Sequence, residues 1–185
     1  QCSAGAVLFP EQIESRFDVI SSAEHALQQA KERGRNQCSL FAPEMLAIKD
    51  AARELEEDLS SALQNNDELS MVYQPKVDAH GRLTGSEALL RWHHPVKGFI
   101  SPAHFIPIAE ETGLIHELGK WVLRRVFEQI RDWQQRSVPL YRVSINVTAS
   151  QFAEGDFIHY LLAQRTEYNI PAQLIEVELT ESSLL

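Results

Sequence analysis

The sequence predicts an α/β fold built on a largely parallel sheet. Beyond residue 67, stretches with the two-residue alternation of a strand take turns with stretches whose apolar residues recur every three or four positions. Strands separated in this way by helices pair in parallel. The short link Ala79-His80-Gly81-Arg82 joins the first two of these strands and makes that opening pair antiparallel.

The elements follow in order. Residues 3–10 form a strand ended by Pro10. A helix capped by Ser21 or Ser22, with Glu24 in its first turn, runs through Ala26, Leu27, Ala30 and Lys31 and stops at Gly34. A strand-like piece then reaches Phe41. Between Pro43 and Asn66, the residues Met45, Ile48, Ala52, Leu55, Leu59 and Ala62 step by three and four. They predict one amphipathic connecting helix packed on a neighbouring domain, too short for a sustained coiled coil. Residues 70–77 and 85–92 are strands, and 102–111 and 114–136 are helices. The second helix carries Leu118, Val122, Val126, Ile130 and Trp133 toward the core. Residues 142–147 form a strand, 156–168 a helix and 174–179 a strand. Trp121 and Trp133 belong to the core. The pair His93-His94, followed at once by Pro95, is placed in a loop.

Composition narrows the function. Apolar residues make up 44% and charged residues 23%, as in an ordinary globular protein. The net charge of −9 argues against DNA or RNA as a partner, because that needs clustered Lys and Arg. It also repels anions, so a phosphodiester ligand would need cations and a placed arginine. No apolar run is long enough to span a membrane. The opening Gln1-Cys2-Ser3-Ala4-Gly5 lacks the basic region of a signal peptide, and we expect a piece of a longer cytoplasmic protein. Cys2 and Cys38 form no metal-type cluster and are expected to be buried or incidental thiols, reduced in a cytosol.

The most informative stretch is Gly85-Ser-Glu-Ala-Leu-Leu-Arg-Trp92. On a strand, Glu87, Leu89 and Arg91 share one face while Ala88, Leu90 and Trp92 share the other. The α-carbons of Glu87 and Arg91 then stand roughly 13 Å apart at about 3.3 Å per residue. That spacing suits an acid holding a metal and an arginine gripping a phosphate. Taken alone, it would equally suit a strand with a stray ion pair.

Four further blocks accompany this one: Tyr73-Gln74-Pro75-Lys76-Val77, residues 100–115 around Glu110-Glu111-Thr112-Gly113, Asn146-Val147-Thr148-Ala149-Ser150-Gln151-Phe152, and Glu178-Leu179-Thr180-Glu181-Ser182. In this order and at these spacings, residues 67–185 resemble the EAL-type cyclic di-GMP phosphodiesterases. The resemblance implies the first half of a TIM-like (β/α)₈ barrel, with functional residues at the C-terminal strand ends. With about four of eight strands, one side of the sheet stays unclosed and prone to association.

The resemblance implies that Glu87, Asn146 and Glu178 ligate Mg²⁺ or Mn²⁺, hard cations that favour oxygen donors. The absence of His and Cys at these positions argues against zinc. It further implies that Glu87 serves catalysis directly, that Glu181 serves it by supporting a loop, and that Arg91, Gln74 and Leu90 contact cyclic di-GMP. Three of them have a plainer alternative: Asn146 as a turn-capping amide, Glu178 as an exposed strand charge, Gln74 as a structural hydrogen-bonder. No role is assigned to Lys76, and Glu110 and Glu111 are taken as structural.

Residues 1–42 resemble the C-terminal end of a GGDEF-type diguanylate cyclase domain, through Ala26-Leu27, Ala30-Lys31 and Gly34-Arg35-Asn36. That resemblance implies that Lys31 and Arg35, one helical turn apart, contact nucleotide phosphates, with GTP as a ligand. Glu24 stands where Asp is usual and Gln28 where Tyr is usual, so a divergent domain is expected. Residues 43–66 are the connecting helix. Three functions compete: a phosphodiesterase, a receptor that binds cyclic di-GMP without cleaving it, and a docking surface. Retention of all three metal-ligand positions favours the enzyme, in a homodimeric tandem protein.

Overall fold

The computed structural model describes residues 2–9, 18–65, 67–153 and 155–179. They form two compact units, Gln1–Leu55 and Glu56–Leu185.

In the first unit, β1 (Ala4–Ala6) and β2 (Cys38–Leu40) pair in parallel, with α1 (Asp18–Glu32) packed on them. Close approach depends on Gly5, where a Cβ would stand 2.1 Å from the Ala23 carbonyl oxygen and 2.3 Å from the Leu27 nitrogen. Ala26 and Ala30 of α1 are fully buried. The expected cap at Ser21 or Ser22 is not formed. Both serines lie inside α1, which is already helical at Asp18, and Ser22 is buried. Tertiary burial here overrides the capping preference of serine. The helix ends before Gly34, whose φ of 105° no side-chain-bearing residue adopts easily. Arg35 follows with φ 58° and donates its backbone N–H to the Ala30 carbonyl at 3.0 Å.

Helix α2 (Glu44–Asn65) crosses the division between the units. Its predicted apolar stripe is buried at Leu59 and Ala62, whereas Ile48 stays exposed.

The second unit opens with the antiparallel pair β3 (Leu69–Val77) and β4 (Leu83–His94). Asp78 closes their turn, accepting from the backbone N–H groups of His80 and Arg82 at 2.8 and 3.0 Å. This is the local bonding that suits Asp to turns. Strand β6 (Arg142–Val147) pairs in parallel with β4, and β7 (Ile175–Leu179) pairs in parallel with β6. The order β3-β4-β6-β7, with a short β5 (Gly98–Ile100) beside β4, is an open α/β sheet of the partial-barrel kind.

β5 corrects the loop expected at His93-His94. The pairs His93↔Phe99 and His94↔Gly98 extend β4 through both histidines. Pro95 falls just beyond the ladder, and Gly98, at φ 71°, opens β5 directly after the turn at 95–97. The Nδ1 of His94 accepts from the backbone N–H groups of Val96 and Lys97, and its Nε2 lies 3.4 Å from the Asp58 carboxylate.

Helices α3 (Pro102–Thr112) and α4 (Leu114–Gln135) connect β4 to β6, and α5 (Ala149–Ala153) and α6 (Asp156–Glu167) connect β6 to β7. Ser101 caps α3 ahead of Pro102, and Gly113, at φ 80°, ends it. α4 places Leu123, Val126, Phe127 and Ile130 against Ala88, Val143, Ile145 and Val147 in one core. Trp121 is buried, and Trp133 meets Tyr73 edge-on at 4.9 Å. The Tyr73 hydroxyl is buried and has no hydrogen-bond partner among the described residues. Burial pushes its phenol well above the usual range, with Glu128 adding to the effect.

Candidate functional site

The strand face turned away from the helices carries the polar side chains. Alternation puts Gln74 and Lys76 of β3, Glu87 and Arg91 of β4, Ser144 and Asn146 of β6, and Glu176 and Glu178 of β7 on this face. Register then aligns them: Gln74 pairs with Glu87, Glu87 with Ser144, and Asn146 with Glu178. Gln151 fixes the strand end that bears Asn146. Its amide donates to the Ile115 carbonyl at 2.8 Å and accepts from the Thr148 backbone N–H at 3.1 Å, tying the end of β6 to the start of α4.

Two contacts join the predicted metal ligands to their neighbours. The Asn146 Nδ2 donates to Glu87 Oε1 at 2.6 Å. The Lys76 ammonium donates to Glu178 Oε1, and also to Ser144 Oγ at 2.7 Å. Ser144 Oγ passes its own hydrogen to Glu176 Oε2 at 2.8 Å, and Arg142 lies 3.4 Å from the other Glu176 oxygen. The hydrogen bond from Lys76 holds the Glu178 carboxyl below the usual carboxylate range, against the opposing effect of burial. That bond and the surrounding carboxylates hold the Lys76 ammonium above its ordinary value.

The donor set suits a hard divalent cation. Glu87 and Glu178 bring carboxylates and Asn146 an amide, all oxygen-bearing groups from three adjacent strands. No group of three or more His, Cys, Asp or Glu is placed to hold a metal among the described residues, and the predicted trio itself contains two acids and an amide. A cation already rests on Glu178 in the form of the Lys76 ammonium, so the place accepts positive charge. Asn146 points its nitrogen at Glu87, and ligation would require its oxygen.

The remaining predicted residues fall at different places. Arg91, Leu90 and Asn146 border one cleft of about 320 Å³ that lies between the sheet and the helices and is lined mostly by apolar residues, among them Ile106, Ile115, Leu118, Val122 and Phe157. The Arg91 guanidinium donates to the Leu90 carbonyl at 2.8 Å. Gln74, Glu87 and Glu178 do not line that cleft. Glu181 lies outside the described residues. Lys31 sits in the last turn of α1 and Arg35 beyond its end, so the two are not one turn apart on a helix as expected. The left-handed residues after Glu32 turn the chain off the helical path.

Sequence reasoning missed Lys76, Ser144 and Glu176. The signal was there: each stands two residues from an assigned position, where strand alternation returns a side chain to the same face.

Residues 56–185 match the EAL domain family. The chain is 40% identical over 184 residues to the cyclic di-GMP phosphodiesterase PdeR of Escherichia coli strain K12, covering all of this chain and 28% of the relative. It is 35% identical over 184 residues to MucR of Pseudomonas aeruginosa, described as a bifunctional diguanylate cyclase/cyclic di-GMP phosphodiesterase, covering 99% of this chain and 27% of the relative. The structure of the PaMucR phosphodiesterase in complex with c-di-GMP superposes with a TM-score of 0.66 at 37% identity, covering 71% of this chain and 53% of that one. The chain thus spans less than a third of these curated relatives. The family match covers most of the chain and holds the whole inner strand face, and the protein belongs to the EAL domain family.

Proposed function

We propose that the protein hydrolyses one phosphodiester bond of cyclic di-GMP to give linear pGpG. The names of the relatives and the c-di-GMP complex of a structural neighbour support this substrate. The observation that carries the proposal is the gathering of Glu87, Asn146 and Glu178 on one strand face, with Arg91 further along the same face of β4.

Glu87, Asn146 and Glu178 would hold Mg²⁺ or Mn²⁺. When bound, such an ion activates water and offsets charge building on the phosphoryl oxygens. Arg91 is a planar, permanently charged fork suited to a phosphate. Gln74, opposite Glu87, offers an amide to the ligand, and Leu90 an apolar contact. In hydrolysis, water oxygen bonds to phosphorus as the ester P–O bond opposite it breaks, and the departing oxygen leaves with a proton. We assign Glu181 the support of a neighbouring loop.

For the remaining segments, we propose that residues 1–42 end a GGDEF-type domain with Lys31 and Arg35 beside nucleotide phosphate, GTP being the ligand. The name of the bifunctional relative supports this. Residues 43–66 form the connecting helix, and 67–185 the first half of the EAL barrel in a cytoplasmic homodimer. No helix among the described residues is long and apolar enough to cross a membrane. A receptor that binds without cleaving is the second reading, and the Lys76 contact on Glu178 favours it.

Turnover of cyclic di-GMP by the full-length protein with Mg²⁺ or Mn²⁺, beside Glu87→Ala, decides between them. The enzyme forms pGpG and loses at least about 100-fold of its rate in the variant. Tight binding without turnover makes the protein a receptor.

A further inference from the structure

We propose that Lys76 is an intramolecular competitor of the metal: its ammonium occupies Glu178 in the metal-free protein and moves to Glu176 when a divalent cation binds. This rests on the reading of Glu178 as a metal ligand.

Lys76 and Glu178 come from opposite ends of the sheet, β3 and β7, and are 102 residues apart in sequence. The lysine must cross the inner face to reach the acid, and register leaves it room. The residue opposite Lys76 on β4 is Gly85, so no β4 side chain stands at that level. The glycine is also required by packing, since a Cβ there would lie 2.9 Å from the Arg142 carbonyl oxygen.

A divalent cation and an ammonium on one carboxylate repel at contact distance, so each weakens the other's hold on Glu178. The structure provides the alternative position. Ser144 Oγ accepts from Lys76 at 2.7 Å and donates to Glu176 Oε2 at 2.8 Å, so it touches both the ammonium and a second carboxylate. A lysine has a flexible four-carbon stem and three donors, and a small swing carries the charge from one acid to the other without leaving the serine. Lys76 is therefore a positioning residue. It keeps Glu178 in place while no metal is bound and lowers the affinity with which the metal takes it.

The test measures Mn²⁺ binding by calorimetry to the full-length protein without substrate, comparing wild type, Lys76→Met, Lys76→Arg and Glu178→Gln. Competition predicts that Lys76→Met binds Mn²⁺ about fivefold tighter, the size expected for a half-exposed ion pair. Lys76→Arg, which retains the charge, binds no tighter than wild type. A lysine that served only to hold the fold would lower Tm in Lys76→Met with no gain in Mn²⁺ affinity, and that result overturns the proposal. So does Lys76→Met binding more weakly than wild type. Glu178→Gln separates the two levels. Weakened Mn²⁺ binding in that variant keeps Glu178 as a ligand whatever Lys76 does, whereas unchanged binding removes it from the metal set and overturns both.

Discussion

Toward the helices, the strands present Tyr73, Ala88, Ile145 and Val177; away from them they present Gln74 and Lys76, Glu87 and Arg91, Ser144 and Asn146, Glu176 and Glu178. The first set meets α4 and is stabilised by loss of water from apolar surface. In the second set, Lys76, Glu87, Ser144, Asn146, Glu176 and Glu178 meet other strands through charged and polar hydrogen bonds, and much of the set remains half-exposed or exposed. The difference separates two kinds of damage. A substitution on the helix side should cost stability, and one on the inner side should cost chemistry.

The largest stability effect is expected on the helix side. Phe127 is fully buried in the core, and Phe127→Ala should cost about 3–5 kcal/mol, read from denaturant midpoints of the full-length protein. A loss below about 1 kcal/mol would break the division between the faces. Gly119→Ala sharpens it. The added Cβ would stand 2.0 Å from the Gln151 Nε2, displacing the amide that ties the end of β6 to α4. A cost of about 1–3 kcal/mol is expected, with weaker metal binding besides, because Asn146 loses its support.

The smallest effect belongs to the inner face. Glu178 titrates below its ordinary 4.5 in the fold, so the stability from its pairing with Lys76 is complete above about that pH and fades as pH falls through the folded value. Lys76 titrates above its ordinary 10.5, so the same contribution persists below that pH and is lost as pH rises through the raised value. With side chains 35% and 37% exposed, the pair should contribute less than about 1 kcal/mol. The Tm difference between metal-free wild type and Lys76→Met should be constant through neutral pH and vanish at acid pH, once Glu178 is protonated below its ordinary 4.5. A difference that persists there would show Lys76 acting through packing instead.

Much of the fold was legible because its signals are local. The alternation in 142–147 matches β6 residue for residue, and the apolar stripe of 114–136 matches α4 within one residue. The β5 pairing was not legible: it depends on Gly98 turning a three-residue segment back onto β4, a tertiary event with little periodic signal. Nor was the interior position of Ser21 and Ser22, where burial outweighed a capping residue. At the site, Glu87, Asn146 and Glu178 could be grouped by motif. The Lys76 contact could not be, because it joins strands 102 residues apart, and no local pattern encodes which acid a lysine will reach.

Tyr73 gives the molecule an optical gauge. Its ring meets Trp133 at 4.9 Å, close enough for excitation of the phenol to pass to the indole. Its emission should therefore stay dark while β3 is seated on α4 and brighten when the strand lifts away. Because the opposite side of β3 carries Gln74 and Lys76, that light would report whether the inner face is assembled, before any ligand or metal is added.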